Sequence, residues 1–390
     1  MFNGFYTISR MCIDWEQRKL GDMGDTFTGL SGKTKEDFGH GAAEFVTYMN
    51  VFSNPISDTS MTENVEIDSK QNELKYGDVL FTTSSETPQE VGMSSVWLSS
   101  KPNVYLNSFC FGYRPKVKIN YLFFAYLLRS HTVREQMMLL AQGISRYNIS
   151  KNKVMKITVG LPNMQEQEKI GNFFKQLDNT IALYQQKLKK LKEMKSAFLS
   201  EIFNQNIRFL GFSNEWRQYK FSEIVNRVSK QTNDANLPIV EYEDIVSCEG
   251  RLNKDVTQKF DDRKGVIFEP NFILFGKLRP YLKNWLLVNF KGKAVGDFWV
   301  FESKNSIPTF NYYLIQTGKF QLVANLSTGT KMPRSDWKTV SETVYQVPSI
   351  EEQSRIGHLF KQLDYIIYLQ EKKVNKLIEL KKAYLQKMFI

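Results

Sequence analysis

The chain has 390 residues, a length that predicts two to four domains with sizeable cores and excludes one small module stapled by disulfides. Hydrophobic residues make up 42% and aromatic residues 14% of the sequence, far more than a disordered chain carries. Lysine and arginine total 52 against 41 acidic residues, so the formal net charge of +11 favours a polyanionic partner such as nucleic acid.

The cysteines and histidines are few and widely spaced. They are Cys12, Cys110, Cys248, His40, His131 and His358. This spacing indicates thiols in a reducing compartment, and neither a disulfide framework nor a zinc site, so we expect a cytoplasmic protein. We also expect no signal peptide and no membrane span, because no charged segment precedes an apolar run and no stretch approaches about 18 uncharged apolar residues.

Residues 1–160 are predicted to form a first α+β domain. Short β-prone runs at 79–82 and 104–111 are separated by turn residues, and helical patterns follow at 121–128 and 133–140. A domain of this kind packs a sheet against a few helices.

Residues 161–205 are predicted to form a long helix. Asn163 follows a proline and has Glu166 three residues further on, which is typical of a capped helix start. Apolar residues then recur at alternating spacings of four and three, which is the seam of a coiled coil. The seam residues are Ile170, Phe174, Leu177, Ile181, Tyr184, Leu188, Leu191, Phe198 and Ile202.

Residues 206–346 are predicted to form a second α+β domain. It has β-prone runs at 285–290 and 298–301 and helical patterns at 310–315 and 320–323. Its start at Trp216 and Lys220 matches the Trp15 and Lys19 spacing of the first domain, whereas the middles of the two domains differ. Similar scaffolds with different middles are expected if the two domains recognise different things.

Residues 347–390 repeat the first helix. At an offset of 186 residues, 161–203 aligns with 347–389 without a gap, and 20 of 43 positions are identical, which chance does not produce. The second seam consists of Ile356, Phe360, Leu363, Ile367, Val374, Leu377, Tyr384 and Met388. We therefore predict an α+β protein with an internal pseudo-two-fold repeat, in which the two helices pair as an antiparallel coiled coil. The alternative is that each helix packs separately on a globular domain.

Both seams break at the same position, where Lys195 and Lys381 replace an apolar residue. A buried ammonium group is costly unless it is paired. In an antiparallel pair with full overlap, Lys195 would lie beside Asp364 and Lys381 beside Asp178, so we predict these two ion pairs. The alternative is that the lysine side chains lie along the seam and reach water.

Loops in both domains combine basic, polar and aromatic residues that suit phosphates and base edges. The candidates in the first domain are Lys33, Lys35, Ser84, Ser85, Lys116, Lys118, Arg146 and Tyr147. Those in the second domain are Arg227, Lys230, Lys277, Arg279, Tyr281, Lys331 and Arg334. Taken together, they predict a DNA-binding surface in each domain.

Catalytic motifs are weak in this sequence. Gly32-Lys33-Thr34 resembles the end of a phosphate-binding loop, but Phe27 stands where that loop requires glycine. There is no Asn-Pro-Pro-aromatic run of an amino-methyltransferase. The sequence therefore favours a binding protein over an enzyme.

The whole arrangement resembles the DNA specificity subunit of type I restriction-modification systems. The resemblance rests on the two Pro-x-x-x-Glu-Gln-x-x-Ile-Gly helix starts at Pro162 and Pro348, each continuing through Phe-x-x-Leu-Asp. It rests also on the Trp-x-x-x-Lys domain starts and on the Thr-Gly-Thr-Lys-Met-Pro-Arg run that begins at Thr328. The first domain has Ser145-Arg146-Tyr147 in place of the Lys-Met-Pro of that run, so contacts are not transferred between domains there.

The resemblance implies two target-recognition domains, each reading one half of a split site in double-stranded DNA. It further implies a non-catalytic chain without a cofactor of its own, bound to two modification subunits that transfer methyl groups from S-adenosylmethionine to adenine. Two restriction subunits that use ATP with Mg would complete the endonuclease. Helices of 33 residues, about 50 Å long, would suit half-sites one to one and a half DNA turns apart. The alternatives are a standalone sequence-specific DNA-binding regulator and an enzyme using Lys33.

Overall fold

The computed structural model describes residues 15–326 and 332–389. The chain divides into two compact units. Unit 1 joins the chain up to Gln185 with the segment from Lys373 onward, and unit 2 contains Gln186–Lys372. Each unit therefore holds one globular domain of mixed helix and sheet together with part of each long helix. Within the described residues, no helix is both long and apolar enough to cross a membrane.

Unit 1 is built on a four-stranded sheet. Its strands are β1 (Glu16–Lys19), β2 (Gly24–Thr28), β3 (Phe38–Val46), β4 (Thr62–Val65), β5 (Val79–Thr82), β6 (Ser84–Ser85), β7 (Ser94–Val96), β8 (Val104–Leu106), β9 (Cys110–Pro115), β10 (Tyr147–Asn148) and β11 (Thr158–Leu161). Its helices are α1 (Leu20–Met23), α2 (Tyr48–Ser53), α3 (Tyr121–Leu127), α4 (His131–Leu139), α5 (Lys151–Val154) and the first part of α6 (Met164–Phe203).

The main sheet of unit 1 has the order β2-β9-β5-β7, and all its neighbouring strands are antiparallel. A second sheet has the order β4-β3-β8, and β1 pairs with β11 beside the start of α6. The core lies between the main sheet and α3, α4 and α6, with the sheet contributing Val79 and Phe81. The predicted strand at 104–111 is in fact two strands, β8 and β9, because a turn around Asn107 carries the chain from one sheet to the other.

Unit 2 repeats this scaffold. Its strands are β12 (Arg217–Lys220), β13 (Val225–Val228), β14 (Gln231–Thr232), β15 (Ile239–Val240), β16 (Ile245–Val246), β17 (Arg251–Leu252), β18 (Gly265–Phe268), β19 (Ile273–Gly276), β20 (Trp285–Leu287), β21 (Gly292–Ala294), β22 (Phe298–Ser303) and β23 (Val344–Val347). Its helices are α7 (Phe221–Ile224), α8 (Pro308–Leu314), α9 (Gly318–Ala324), α10 (Trp337–Glu342), the rest of α6, and most of α11 (Ile350–Lys387).

The main sheet of unit 2 has the order β13-β22-β19-β20, which matches that of unit 1 strand for strand. The second sheets differ: unit 2 has β14-β18-β21-β15 where unit 1 has three strands. Each domain therefore has its own central sheet of the same strand order, although the two sequences diverge there. The units differ in the elements added around that sheet. All four short helical patterns expected from the sequence are present, as α3, α4, α8 and α9.

The repeated helix starts are explained by how each long helix meets its domain. Asn163 caps α6 by accepting a hydrogen bond from the backbone N–H of Glu166 at 3.0 Å, as expected. The Gln167 side chain donates to the Pro162 carbonyl and accepts from the backbone N–H of Asn120, at the start of α3. Gln353 makes the same two bonds to Pro348 and Ile307 in unit 2.

Glycine follows one helical turn later because the neighbouring short helix, α3 in unit 1 and α8 in unit 2, approaches too closely for any side chain. A Cβ on Gly171 would lie 2.6 Å from the backbone nitrogen of Phe123, and one on Gly357 would lie 2.2 Å from Oγ1 of Thr309. The Glu-Gln-x-x-Ile-Gly repeat therefore fastens each helix to its own domain.

Contacts within each unit show that α6 and α11 pair in antiparallel orientation. In unit 1, Asp178 contacts Lys381 and Tyr184 contacts Lys373, so the residue number rises on one helix while it falls on the other. In unit 2, Lys192 contacts Glu371 and Lys195 contacts Asp364, with the same sense.

The two ion pairs predicted from the breaks in the seams are present. Lys195 Nζ lies 2.6 Å from Asp364, and Lys381 Nζ lies 2.5 Å from Asp178. Both lysine side chains are largely buried, with 15% and 21% of their surface exposed.

A tyrosine completes each of these ion pairs. The Tyr126 hydroxyl donates to Asp178 at 2.9 Å, and the Tyr313 hydroxyl donates to Asp364 at 2.8 Å. Each lysine ammonium lies over the ring of the same tyrosine. Each carboxylate is therefore shared by a lysine of the partner helix and a tyrosine of the adjoining domain.

Burial along the seam is uneven, because the seam serves the domain cores as well as the helix pair. Ile170 and Phe174 belong to the core of unit 1, and Ile356, Phe360 and Leu363 belong to that of unit 2. Other seam residues, which belong to neither core, differ in burial. Leu177, Ile181, Ile367 and Val374 are buried, whereas Leu188, Leu191 and Leu377 are half-buried. Pairing with the other helix and packing on a domain, which the sequence presented as alternatives, occur together.

Candidate nucleic-acid interface

In both units, one end of the main sheet gathers candidate residues from two distant parts of the chain. In unit 1, β6 follows the inner strand β5 and pairs with β10, so Ser85 lies opposite Tyr147. In unit 2, Leu278 follows the inner strand β19 and forms a bridge to Arg334. Both units therefore have the same contact, which we call the joint, between the segment after the inner strand and the segment after the two short helices. It pairs Ser84–Ser85 with Tyr147–Asn148 in unit 1 and Leu278 with Arg334 in unit 2.

In unit 1 this joint presents Arg146. Its guanidinium donates to Ser84 Oγ at 3.0 Å, and the residue remains exposed. Ser84 and Ser85 are buried, with 5% and 7% of their surface exposed, and Ser85 Oγ donates to Glu90. The two serines therefore orient the joint, whereas Arg146 is the residue that solvent and a ligand can reach.

Arg146 lines a cleft of about 600 Å³ whose opposite wall is the short helix α2. Tyr48 and Phe52 stack on one another there, and Met49 is 54% exposed. The Tyr48 hydroxyl donates to the Ser84 carbonyl at 2.6 Å, which ties this wall to the joint. This wall was not among the predicted elements, although Thr47 before an aromatic pair spaced by four residues is a helix-start signal.

The remaining candidates of unit 1 lie in other surroundings. Lys33 is largely buried and lies 3.3 Å from Asp68 and 3.9 Å from Asp37. Lys116 pairs with Asp25 beyond the end of β9 that is remote from the joint, while Lys35 and Lys118 are exposed. The two carboxylates beside Lys33 would repel a phosphate, so this turn does not suit a nucleotide site.

In unit 2 the joint is a basic loop held by one carboxylate. Asp297 lies 3.0 Å from Arg334 and 3.5 Å from Lys277. Burial would raise the pKa of Asp297, but its hydrogen bonds and charge interactions with Arg334 and Lys277 lower the pKa below its usual value. The carboxylate therefore stays ionised and holds together two parts of the chain almost 60 residues apart.

Arg279 combines an exposed side chain with a fixed backbone in this loop. Its backbone is left-handed, with φ of 48°, and its N–H donates to the Pro333 carbonyl at 2.7 Å. A left-handed conformation is strained for a residue other than glycine and persists only where the surroundings impose it. Arg279 and Tyr281 are both exposed, so the loop holds an arginine and an aromatic ring out from a fixed backbone.

The remaining candidates of unit 2 are Arg227, Lys230 and Lys331. The Arg227 guanidinium lies over the Trp337 ring, 4.8 Å from its centre, and Lys230 is exposed. Lys331 and the Thr328–Thr330 part of the family run lie outside the described residues, as do Cys12 and the rest of the first 14 residues. Within the described ranges, no group of three or more potential metal-ligating side chains is present.

Comparison with known proteins agrees with this architecture. The sequence model of the family described as the type I restriction modification DNA specificity domain matches the chain twice, over residues 13–193 and 200–380. The chain therefore belongs to this family, and it is a specificity subunit with two DNA-recognition domains.

Individual relatives are distant. The chain is 25% identical over 221 residues to a putative type I restriction enzyme MjaX specificity subunit of Methanocaldococcus jannaschii, covering 54% of this chain and 49% of that protein. This chain thus spans about half the length of that curated relative.

Solved structures share the fold across nearly the whole chain. A type I restriction-modification S subunit from M. genitalium has a TM-score of 0.60 at 15% identity, covering 99% of this chain and 98% of that one. A chain from structural work on complex assembly and conformational transition of the type I R-M system has a TM-score of 0.60 at 16% identity, covering 96% and 97%.

Proposed function

We propose that this specificity subunit reads a bipartite DNA site, with each domain recognising one half. The observation that carries the proposal is the joint at the end of the main sheet, which both units build on the same strand order. Around it the exposed residues differ: Arg146 and the α2 aromatics in unit 1, Arg279 and Tyr281 in unit 2. One scaffold with two different sets of contacts suits two different half-sites.

Both sets have the chemistry that DNA recognition needs. An arginine can bond the guanine edge through two N–H groups or bind a phosphate, and apolar or aromatic groups contact thymine methyl groups and sugars. The excess of 11 positive charges over the whole chain favours the approach of a polyanion.

We further propose that the chain directs chemistry performed by other subunits. Membership of the family supports two modification subunits that methylate adenine from S-adenosylmethionine and two restriction subunits that use ATP with Mg. The similar chain from work on assembly of the type I R-M system supports a multi-subunit complex. In this proposal the chain is non-catalytic, binds no cofactor of its own, and works in the cytoplasm.

Purification of the chain with and without the subunits encoded beside it tests this role. The expected result is adenine methylation of DNA only when the modification subunits are present, with the methylated sites set by this chain. Sequence-specific binding with no effect on any partner's methylation would instead indicate a standalone regulator. ATP hydrolysis by the isolated chain would indicate an enzyme.

A further inference from the structure

Two arginines lie behind the cleft of unit 1: Arg129 between α3 and α4, and Arg134 within α4. The Arg129 guanidinium reaches α2 and donates to the backbone carbonyls of Val51 at 2.8 Å, Phe52 at 3.0 Å and Asn54 at 3.0 Å. Its Nε donates to the Ser94 carbonyl on β7 at 2.7 Å. Arg129 therefore joins the end of α2 to the edge strand of the main sheet.

The carbonyls of Val51 and Phe52 belong to the last turn of α2 and that of Asn54 directly follows it, at the end where a helix leaves its carbonyl groups unpaired. The helix has only six residues and could not persist without such support. Its other end is capped by Thr47, and its buried Asn50 donates to the carbonyls of Asp58 and Met61. The α2 wall of the cleft thus depends on Arg129, which donates hydrogen bonds to the otherwise unpaired carbonyls at the end of this helix.

Arg134 does the same for the segment on the other side of the cleft. Its guanidinium donates to the carbonyls of Gly92 at 2.8 Å, Gln89 at 2.9 Å and Val91 at 2.5 Å. This segment includes Glu90, which lines the cleft and accepts the hydrogen bond from Ser85. The two arginines therefore fix two parts of the cleft from behind.

Their surroundings are unusual for arginine. In the described part of the chain, every hydrogen bond of both guanidinium groups goes to a backbone carbonyl. Burial lowers the pKa of Arg129 to about 9 and that of Arg134 to about 10. Both remain charged at neutral pH, and a planar group with five N–H donors bonds several carbonyls in a way that lysine cannot.

Unit 2 has no arginines at the positions of Arg129 and Arg134, although it has the same two helices. At the 187-residue spacing that relates α3 and α4 to α8 and α9, glutamines replace the arginines. Gln316 donates to the Tyr312 carbonyl of α8, and Gln321 of α9 donates to the Ile315 carbonyl directly after α8, so neither donates to a segment outside this helix pair. The shared scaffold therefore does not require arginine here, whereas the cleft of unit 1 uses both.

We propose that Arg129 and Arg134 are positioning residues for recognition of the first half-site. They contact no DNA; they hold the α2 wall and the segment around Glu90 where the cleft needs them. The inference rests on the proposed function, since it assigns these residues to one of the two half-sites.

The test uses cells that carry the complete restriction-modification system, with methylated adenines mapped across the genome. The half-site of unit 1 is the one that persists when residues 206–346 are exchanged for those of another family member. R129K and R134K should each lower discrimination between the cognate first half-site and its single-base variants by about tenfold, the scale of one displaced base contact. The second half-site should be read as before. R18K, which alters an exposed arginine of the same unit, serves as the control and should change neither half.

Binding by the purified complex at several salt concentrations separates positioning from contact. A positioning role leaves the slope of log affinity against log salt unchanged, whereas loss of a phosphate contact by R129Q would reduce it by about 0.9. A reduced slope, an equal loss at both half-sites, or unaltered discrimination would each overturn the inference. Failure of the wild-type complex to read any bipartite site would instead refute the proposed function.

Discussion

At the scale of single residues, exposure and a fixed backbone distinguish the recognition candidates. Lys33 and Arg279 are both basic residues that follow closely after a glycine in the sequence, Gly32 and Gly276. In the structure Lys33 is neutralised by Asp68 and Asp37, whereas Arg279 is held outward by a strained loop. Asp68 lies 35 residues from Lys33, so no local pattern could reveal that pairing.

Substitution of Arg279 tests the loop of unit 2. We expect R279A to weaken recognition of the second half-site alone. A lost base contact would cost about 1–3 kcal/mol of discrimination at one position, whereas a lost phosphate contact would weaken binding to all sequences equally. Binding of the complex to oligonucleotides with single-base changes measures both effects.

R279K refines this test, because lysine keeps the charge and loses the paired N–H donors. Recovery of overall affinity without recovery of base preference would identify a guanine-reading contact. If R279A binds every sequence as the wild type does, Arg279 has no role in recognition.

At the scale of elements, the repeated glycines test how each long helix is seated on its domain. In an exposed helix, glycine to alanine adds about 1 kcal/mol of stability. At Gly171 we expect the opposite, a loss of about 1–3 kcal/mol, because the new Cβ would lie 2.6 Å from the backbone of α3.

G318A is the matched control, since Gly318 begins α9 and has nothing within 4 Å of an added Cβ. Chemical denaturation of the three proteins gives the comparison. Equal stability of G171A and G318A would show that the helix is not seated as described.

The ion pairs between α6 and α11 are a second test at this scale. D178N and D364N each keep an acceptor for the tyrosine but remove the charge that faces the partly buried lysine. We expect each to cost on the order of 1 kcal/mol of unfolding free energy, more than an exposed pair contributes.

D25N removes the carboxylate of the exposed pair with Lys116 and should lie within about 0.5 kcal/mol of the wild type. Thermal unfolding of the three variants measures the difference. If D25N and D178N are equally stable, the pairs in the seam do not select the register.

The long helices and the four short helices could be predicted because their signals are local and periodic. The register of α6 against α11 could also be predicted, because the lysine at the same seam position of each helix requires a carboxylate on the other helix. Helix α2 could not be predicted in the same way. It has six residues, and the carbonyls of its last turn are bonded by Arg129, more than 70 residues further along the chain.

At the scale of the whole molecule, the correspondence of the two main sheets predicts modular recognition. Exchange of residues 206–346 for the second domain of another family member should change one half-site and leave the other intact, because the exchange replaces the whole second domain, including its main sheet, and leaves the first domain unaltered. Genome-wide mapping of methylated adenine before and after the exchange gives the result directly. A change in both half-sites would show that the domains do not read DNA independently.

The same mapping in cells that carry the unaltered system tests the central claim most directly. Two domains of one scaffold with different exposed residues predict methylated adenines within a motif of two defined parts separated by a fixed number of unspecified bases. Methylation confined to one undivided motif, or found only in the absence of this chain, would contradict the account.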